Sequence, residues 1–279
     1  MTNGRTAYLP LATYPDVVPD DALRAAVALA ETLQYDLHVT AFTADIPGVS
    51  SPVGGLFLNI PEMIRTTEAY SQAEAKRQQE LISALVPATV SLECATRHLA
   101  PGAIADTAAG EARYYDLSLL GWTKDHLSIH DLAQTVIFGA GRPAILVPPV
   151  SRPAALDHVA IAWDGGRAAA RALADALPLL KPGTRITVLT VPDEKKLHHH
   201  DIAETLAVSL RRHGFLSEAR NIKLNGRPIA EVLQDAALDL SADLLVMGGF
   251  GHSRLRDFVL GGATTGVFAN LRLPVLLSH

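Results

Sequence analysis

Two pairs of segments in this chain repeat each other at long range, and that repetition constrains the fold more than any other feature. Tyr115-Asp116-Leu117-Ser118-Leu119-Leu120-Gly121 matches Ala242-Asp243-Leu244-Leu245-Val246-Met247-Gly248. Arg142-Pro143-Ala144-Ile145-Leu146-Val147 matches Leu273-Pro274-Val275-Leu276-Leu277-Ser278. The apolar stripe Leu23, Ala26, Val27, Ala30 and Leu33 has the helical spacing of Ala170, Leu173, Ala174, Leu177 and Leu180. A tandem duplication accounts for all three matches at once. A length of 279 residues suits two domains of ordinary size, and an apolar fraction of 48% supplies two buried cores. The proline-rich stretch Pro148-Pro149-Val150-Ser151-Arg152-Pro153 favours extended backbone and is the expected connector, giving domains 1–150 and 151–279.

Each half alternates short apolar runs with amphipathic stretches, which predicts an α/β fold: two tandem open parallel-sheet domains, Rossmann-like, with helices on both faces. In the first half strands are expected at Ala7 to Ala12, Leu37 to Phe42, Val90 to Ala95 and Leu117 to Gly121, and helices at Ala22 to Leu33, Pro61 to Leu85 and Ala103 to Glu111. In the second, strands are expected at Val159 to Trp163, Arg185 to Val191, Arg220 to Lys223, Asp243 to Met247 and Val275 to Leu277. The intervening helices are Arg167 to Leu180, Ile202 to His213, Ile229 to Leu240 and a short one before the last strand. One insertion breaks the symmetry: the glycine- and proline-bearing segment Ile46 to Pro61 reads as a variable connector or as a cover for a pocket or partner surface.

Several function classes fall away on composition. No apolar run approaches the roughly 20 residues of a membrane span, and a net charge of −5 without a basic, aromatic-interleaved patch argues against nucleic acid. The start, Met1-Thr2-Asn3-Gly4-Arg5, lacks a signal-peptide core, and a lone cysteine, Cys94, suits a reducing compartment, so a cytoplasmic location is expected. Cys94 itself reads as an inert core or edge residue.

The chemistry concentrates after the run Asp243 to Met247. Met247-Gly248-Gly249-Phe250-Gly251, followed by Gly261-Gly262-Ala263-Thr264, places glycines where backbone can approach a ligand, and a helix starting near Gly262 would aim free N–H groups at an anion. That arrangement suits a nucleotide phosphate, while packing alone is the competing use of the same glycines. Arg254 and Arg256 flank the segment as phosphate partners or solvated charges.

The spacing Gly248, Gly251, Gly261 is a GxxGx9G motif, and with the repeated five-strand plan it resembles the universal stress protein family in its tandem two-domain form. The C-terminal third carries the motif; the first half resembles the family in layout. For nucleotide-binding members the resemblance implies that Asp164 meets the adenine edge and Val191 its face. Met247, Gly248 and Gly251 would line the sugar and phosphate approach, with Gly261, Gly262, Ala263 and Thr264 donating at the helix start. It further implies ATP, with magnesium, as ligand, a stress-response sensor or regulator role, and pairing through the last strand of each half as an intrachain pseudo-dimer, with homodimerisation beyond it. The alternatives left open are a scaffold protein with a closed pocket and a weak ATP hydrolase. Gly262 stands where a serine or threonine hydroxyl is usual, so Thr264 or Thr265 would have to replace it. Trp163 beside Asp164 would either stack on adenine or fill the site. In the first half His130-Asp131 fall opposite Gly261-Gly262, and a carboxylate there would repel phosphate, so no first-half site is expected.

Other motifs are weaker. Gly249 to Arg254 lacks the third glycine of a dinucleotide turn and follows a late strand, and no GxxxxGK[ST] occurs. His198-His199-His200-Asp201 is a zinc-attracting composition, but consecutive residues do not share a helix face, and the cluster reads as an exposed loop before a helix capped by Asp201. No nucleophile, base and orienter set is evident, so no catalytic residue is assigned.

Overall fold

The computed structural model describes residues 4–48, 59–150, 155–193, 201–249 and 262–279. The first half runs β1 (Thr6–Ala12), α1 (Asp20–Leu33), β2 (Asp36–Ala44), α2 (Ile60–Leu85), β3 (Leu92–Leu99), α3 (Ile104–Ala112), β4 (Leu117–Gly121), α4 (Leu127–Gly139) and β5 (Ala144–Val147). The second repeats the order as β6 (His158–Ala162), α5 (Arg167–Ala176), β7 (Arg185–Thr190), α6 (Ile202–Arg212), β8 (Leu216–Asn221), α7 (Ile229–Asp239), β9 (Leu244–Gly248), α8 (Gly262–Ala269) and β10 (Val275–Ser278).

Within each half every strand pair is parallel, and the apolar runs predicted as central strands are buried on both faces, as helices on both sides of a sheet require. The halves then join. Among the described residues the strands form one ten-stranded sheet in the order β3-β2-β1-β4-β5-β10-β9-β6-β7-β8. The seam is the antiparallel pair β5·β10, with Val275 opposite Leu146, Leu276 opposite Ile145 and Leu277 opposite Ala144. Residue n of β5 corresponds to residue n + 131 of β10, so each contact has its mirror image and the pair Ile145·Leu276 lies on a local two-fold. Alternation along the strands sorts the core into two clusters, one per face: Leu117, Leu119, Ile145 and Leu276 on the first, Leu120, Leu146, Val275 and Leu277 on the second.

Most expected elements are present within a residue or two, with instructive exceptions. The two edge strands lie at Leu92–Leu99 rather than Val90 to Ala95, and at Leu216–Asn221 rather than Arg220 to Lys223. Edge strands are exposed over much of their length and lack the apolar run that marks a central strand. Cys94 is on this edge, exposed, with burial of its surroundings raising its thiol pKa. Helix α4 was not among the expected elements, although its buried residues Ile129, Leu132, Ala133, Val136 and Ile137 have helical spacing. Of the stripe expected on α5, Leu173, Leu177 and Leu180 pack against the core, while Ala170 and Ala174 are exposed and Ala169, Ala172 and Ala176 are the fully buried residues. Asp201 precedes α6 as expected but makes no side-chain cap. The inserted segment falls partly outside the described residues, at 49–58, and no described helix is long and apolar enough to cross a membrane.

Burial of Leu276 at the seam predicts that Leu276→Ala costs about 2–5 kcal/mol in urea unfolding. A second prediction concerns acid. His158, 2% exposed, donates Nδ1–H to Leu240 O at 3.0 Å, and its Nε2 lies 2.9 Å from Thr187 Oγ1, which also reaches Glu218 at 3.1 Å. Burial, reinforced by Arg185, lowers its pKa. The unfolded chain therefore takes up the proton first, so this stability is present above the unfolded value of about 6.5 and lost as pH falls through the lower folded value. His158→Gln is expected to flatten the acid limb of a stability-against-pH curve.

Candidate functional site

The carboxyl ends of β6, β7 and β9 form the crevice where ligands of open α/β sheets bind. At the end of β6 the chain turns through Asp164-Gly165-Gly166; Gly165 has φ +73°, which favours glycine, and Asp164 Oδ1 accepts the Gly166 N–H at 2.7 Å. The carboxylate is thereby oriented at the entrance to α5. Thr190 Oγ1 donates to Trp163 O at 2.9 Å, tying the end of β7 to that of β6. Val191 follows, 7% exposed, and Met247 on β9 is 3% exposed.

Val191 and Met247 belong to the same apolar cluster, against which Ala162, Ile222, Leu224 and Ala263 pack. Ile222 and Leu224, which carry no motif in the sequence, follow the edge strand β8; the Leu224 N–H donates to Asp193 at 3.0 Å, holding the two loops together. Trp163 neither stacks over nor fills this crevice, because strand alternation sends its ring to the cluster on the opposite face. Helix α8 begins at Gly262, as the glycine pattern predicts. Ala263 is half-buried, Thr264 is 2% exposed and Thr265 is exposed. Gly251 and Gly261, with Phe250, Arg254, Arg256 and the histidines 198–200, lie outside the described residues. Among the described residues no group of metal-ligating side chains exists.

Gly248 is required by packing as well. A Cβ there would lie 2.5 Å from Ala168 C and 2.6 Å from Ala169 N, so the first turn of α5 rests directly on the strand end. This close approach also explains why the buried face of α5 is alanine.

The first half supplies a matched comparison. Strand register aligns Ala12 with Asp164 and Phe42 with Val191. Trp122 aligns with Gly249, the former donating N–H to Val147 O and the latter to Ser278 O. The crevice is therefore filled: Ala12, Phe42 and Trp122 join one buried cluster, and His130 stacks on Trp122 at 4.2 Å while donating Nε2–H to Thr123 O. Asp131 is exposed. Asp16 Oδ2 accepts from Ser128 N at 3.2 Å and Ser128 Oγ at 2.9 Å at the start of α4. The chain supplies its own anion there.

The architecture defines a tandem α/β protein whose two sheets are fused at their last strands. Residues 155–279 match the model of the universal stress protein family. A universal stress protein from Archaeoglobus fulgidus superposes with a TM-score of 0.68 over 97% of both chains at 12% identity, which shows that the fold extends through the first half. A putative universal stress protein from Pseudomonas aeruginosa aligns over 99% of this chain and 93% of its own at 17% identity, with a TM-score of 0.48. No curated protein matches by sequence.

Because the Gly248 contacts are to backbone, Gly248→Ala is expected to lower stability by about 1–3 kcal/mol in thermal unfolding. Gly110→Ala in α3, where a Cβ meets nothing within 4 Å, is expected to gain about 0.5–1 kcal/mol.

Proposed function

We propose that the second half, taken as a domain of residues 151–279, binds an adenine nucleotide, ATP first, as a sensor or regulator with little turnover. The domain of residues 1–150 serves as its degenerate partner. The observation that carries this reading is the contrast between equivalent crevices. One end of the sheet has Ala12, Phe42 and Trp122 and is packed shut; the other has Asp164, Val191 and Gly249. In this reading Asp164 accepts from the adenine edge, while Val191 and Met247 cover its face. Gly248, Gly251, Gly261, Gly262, Ala263 and Thr264 line the sugar and phosphates, with α8 offering N–H groups. The polyphosphate, with magnesium, would supply the anion for that helix start.

Micromolar affinity requires about −8 kcal/mol. A charge at a helix terminus contributes about 0.3–1 kcal/mol, up to about 2 when partly buried, so base burial and several N–H donors have to act together. Loss of the Asp164 contact or obstruction at Gly251 should therefore each be felt strongly.

Thermal unfolding with ATP and magnesium tests the proposal. Ligand at 100 times its dissociation constant is expected to add about 2.7 kcal/mol, with the shift reduced in Asp164→Ala and lost in Gly251→Val. Absence of any shift at millimolar nucleotide would overturn the proposal and leave a closed scaffold as the better account.

A further inference from the structure

We infer that the corner formed by Arg113, Tyr114 and Arg142 in the first half is an oxyanion site for a phosphate monoester; none of its residues belongs to the nucleotide site proposed above. Arg113 donates through Nε and Nη2 to Gly139 O at 3.3 and 3.1 Å, and Arg142 donates through Nε to Arg113 O at 3.3 Å. These carbonyls stand at the carboxyl ends of α4 and α3, so both guanidiniums are held at one corner, each against the negative end of a helix. Capping of this kind is by itself an ordinary structural role for arginine.

The second half shows that the corner does not need charge to be capped. By the internal repeat, Arg113 and Tyr114 correspond to Leu240 and Ser241, Gly139 to Asn270, and Arg142 to Leu273. There the same two carbonyls are satisfied by buried side chains: Gln234 Nε2 donates to Asn270 O at 2.8 Å, and His158 Nδ1, on a ring whose pKa burial lowers, donates to Leu240 O at 3.0 Å. Leu240 and Leu273 join the apolar core. The first half instead sets two exposed arginines there, and Tyr114 beside them is 86% exposed, so the corner faces solvent. Among the described residues, Arg113 Nη1 and both Nη atoms of Arg142 have no acceptor, and neither guanidinium pairs with a carboxylate. The carboxylates close by in sequence are engaged elsewhere: Glu111 accepts from Tyr8, Thr40 and Arg97, and Asp116 accepts the Thr6 N–H at 2.7 Å. Two positive charges therefore stand together on a chain of net charge −5. Guanidiniums already fixed through Nε, with terminal N–H groups to spare, suit a tetrahedral dianion whose oxygens can each take a charge-assisted hydrogen bond.

The test is an NMR titration of the full chain at constant ionic strength, following arginine Nε–H and backbone amide signals, with phenyl phosphate and, separately, with acetate. Phenyl phosphate is expected to shift the signals of Arg113, Tyr114 and Arg142 saturably, and acetate to bind about tenfold more weakly. Arg113→Gln keeps a donor for Gly139 O, as Gln234 does for Asn270 O, and is expected to weaken phenyl phosphate about tenfold. Arg142→Lys, which retains the charge but not the planar fork, is expected to weaken it about threefold, and it carries the comparison should Arg113→Gln not unfold as a single transition. A phosphoserine peptide distinguishes the source of the ester: tighter binding than phenyl phosphate assigns it to a protein partner, equal binding to a small molecule. Absence of a saturable shift, equal responses to acetate and phenyl phosphate, or unchanged affinity in both variants overturns the inference and leaves helix capping as the whole role of the two arginines.

Discussion

The antiparallel pairing of β5 with β10 is the contact on which the rest of the architecture depends. Each half ends in a short apolar strand that would otherwise present an unpaired edge. Here the two edges satisfy each other, and Ile145 and Leu276 become fully buried at the local two-fold. Only β3 and β8 remain as sheet edges among the described residues, and they carry Glu93, Arg97 and His98, and Glu218 and Arg220. Gln79 further occupies the edge by donating to Ala95 O at 2.8 Å. The fused sheet also fixes what lies across the seam, which is why α4 and α8 contact the strand ends of the opposite half.

From a shared backbone plan the two halves have taken different contents. The first carries a polar network where the second has apolar core. Tyr8 and Thr40 donate to Glu111 at 3.0 and 2.9 Å, and Arg97 completes the carboxylate at 3.0 Å. Tyr115 stacks on Tyr8 at 4.9 Å. Burial, then the Glu111 charge, pushes the Tyr8 pKa up, so the phenol stays a donor. Strand register places Ala160 and Leu189 opposite Tyr8 and Thr40, positions that in the second half belong to the apolar core. Such a satisfied network suits a half specialised for structure.

The glycines have more than one use. Gly165 makes a turn, Gly248 admits the backbone of α5 and Gly249 admits a ring from the other half. Close packing by itself selects a missing Cβ at Gly248 and Gly249.

Much of the fold was legible because local apolar periodicity and the internal repeat survive in one dimension. The central strands Leu117–Gly121 and Leu244–Gly248 and the start of α8 at Gly262 followed from runs and glycines alone. The edge strands did not, since half-exposed strands carry no comparable pattern, and the buried alanines of α5 escaped the stripe of Leu173, Leu177 and Leu180 because contact with Gly248 selects small residues rather than large ones. The placement of Trp163, the anion supplied by Asp16 and the meeting of Phe138, His279 and Gly249 depend on residues far apart in the chain. Sequence determined the repeated α/β plan and the candidate crevice, through short-range patterning; tertiary structure decided which crevice is filled and what each half presents to the other, because side-chain direction and contacts across the seam exist only once the sheet has closed.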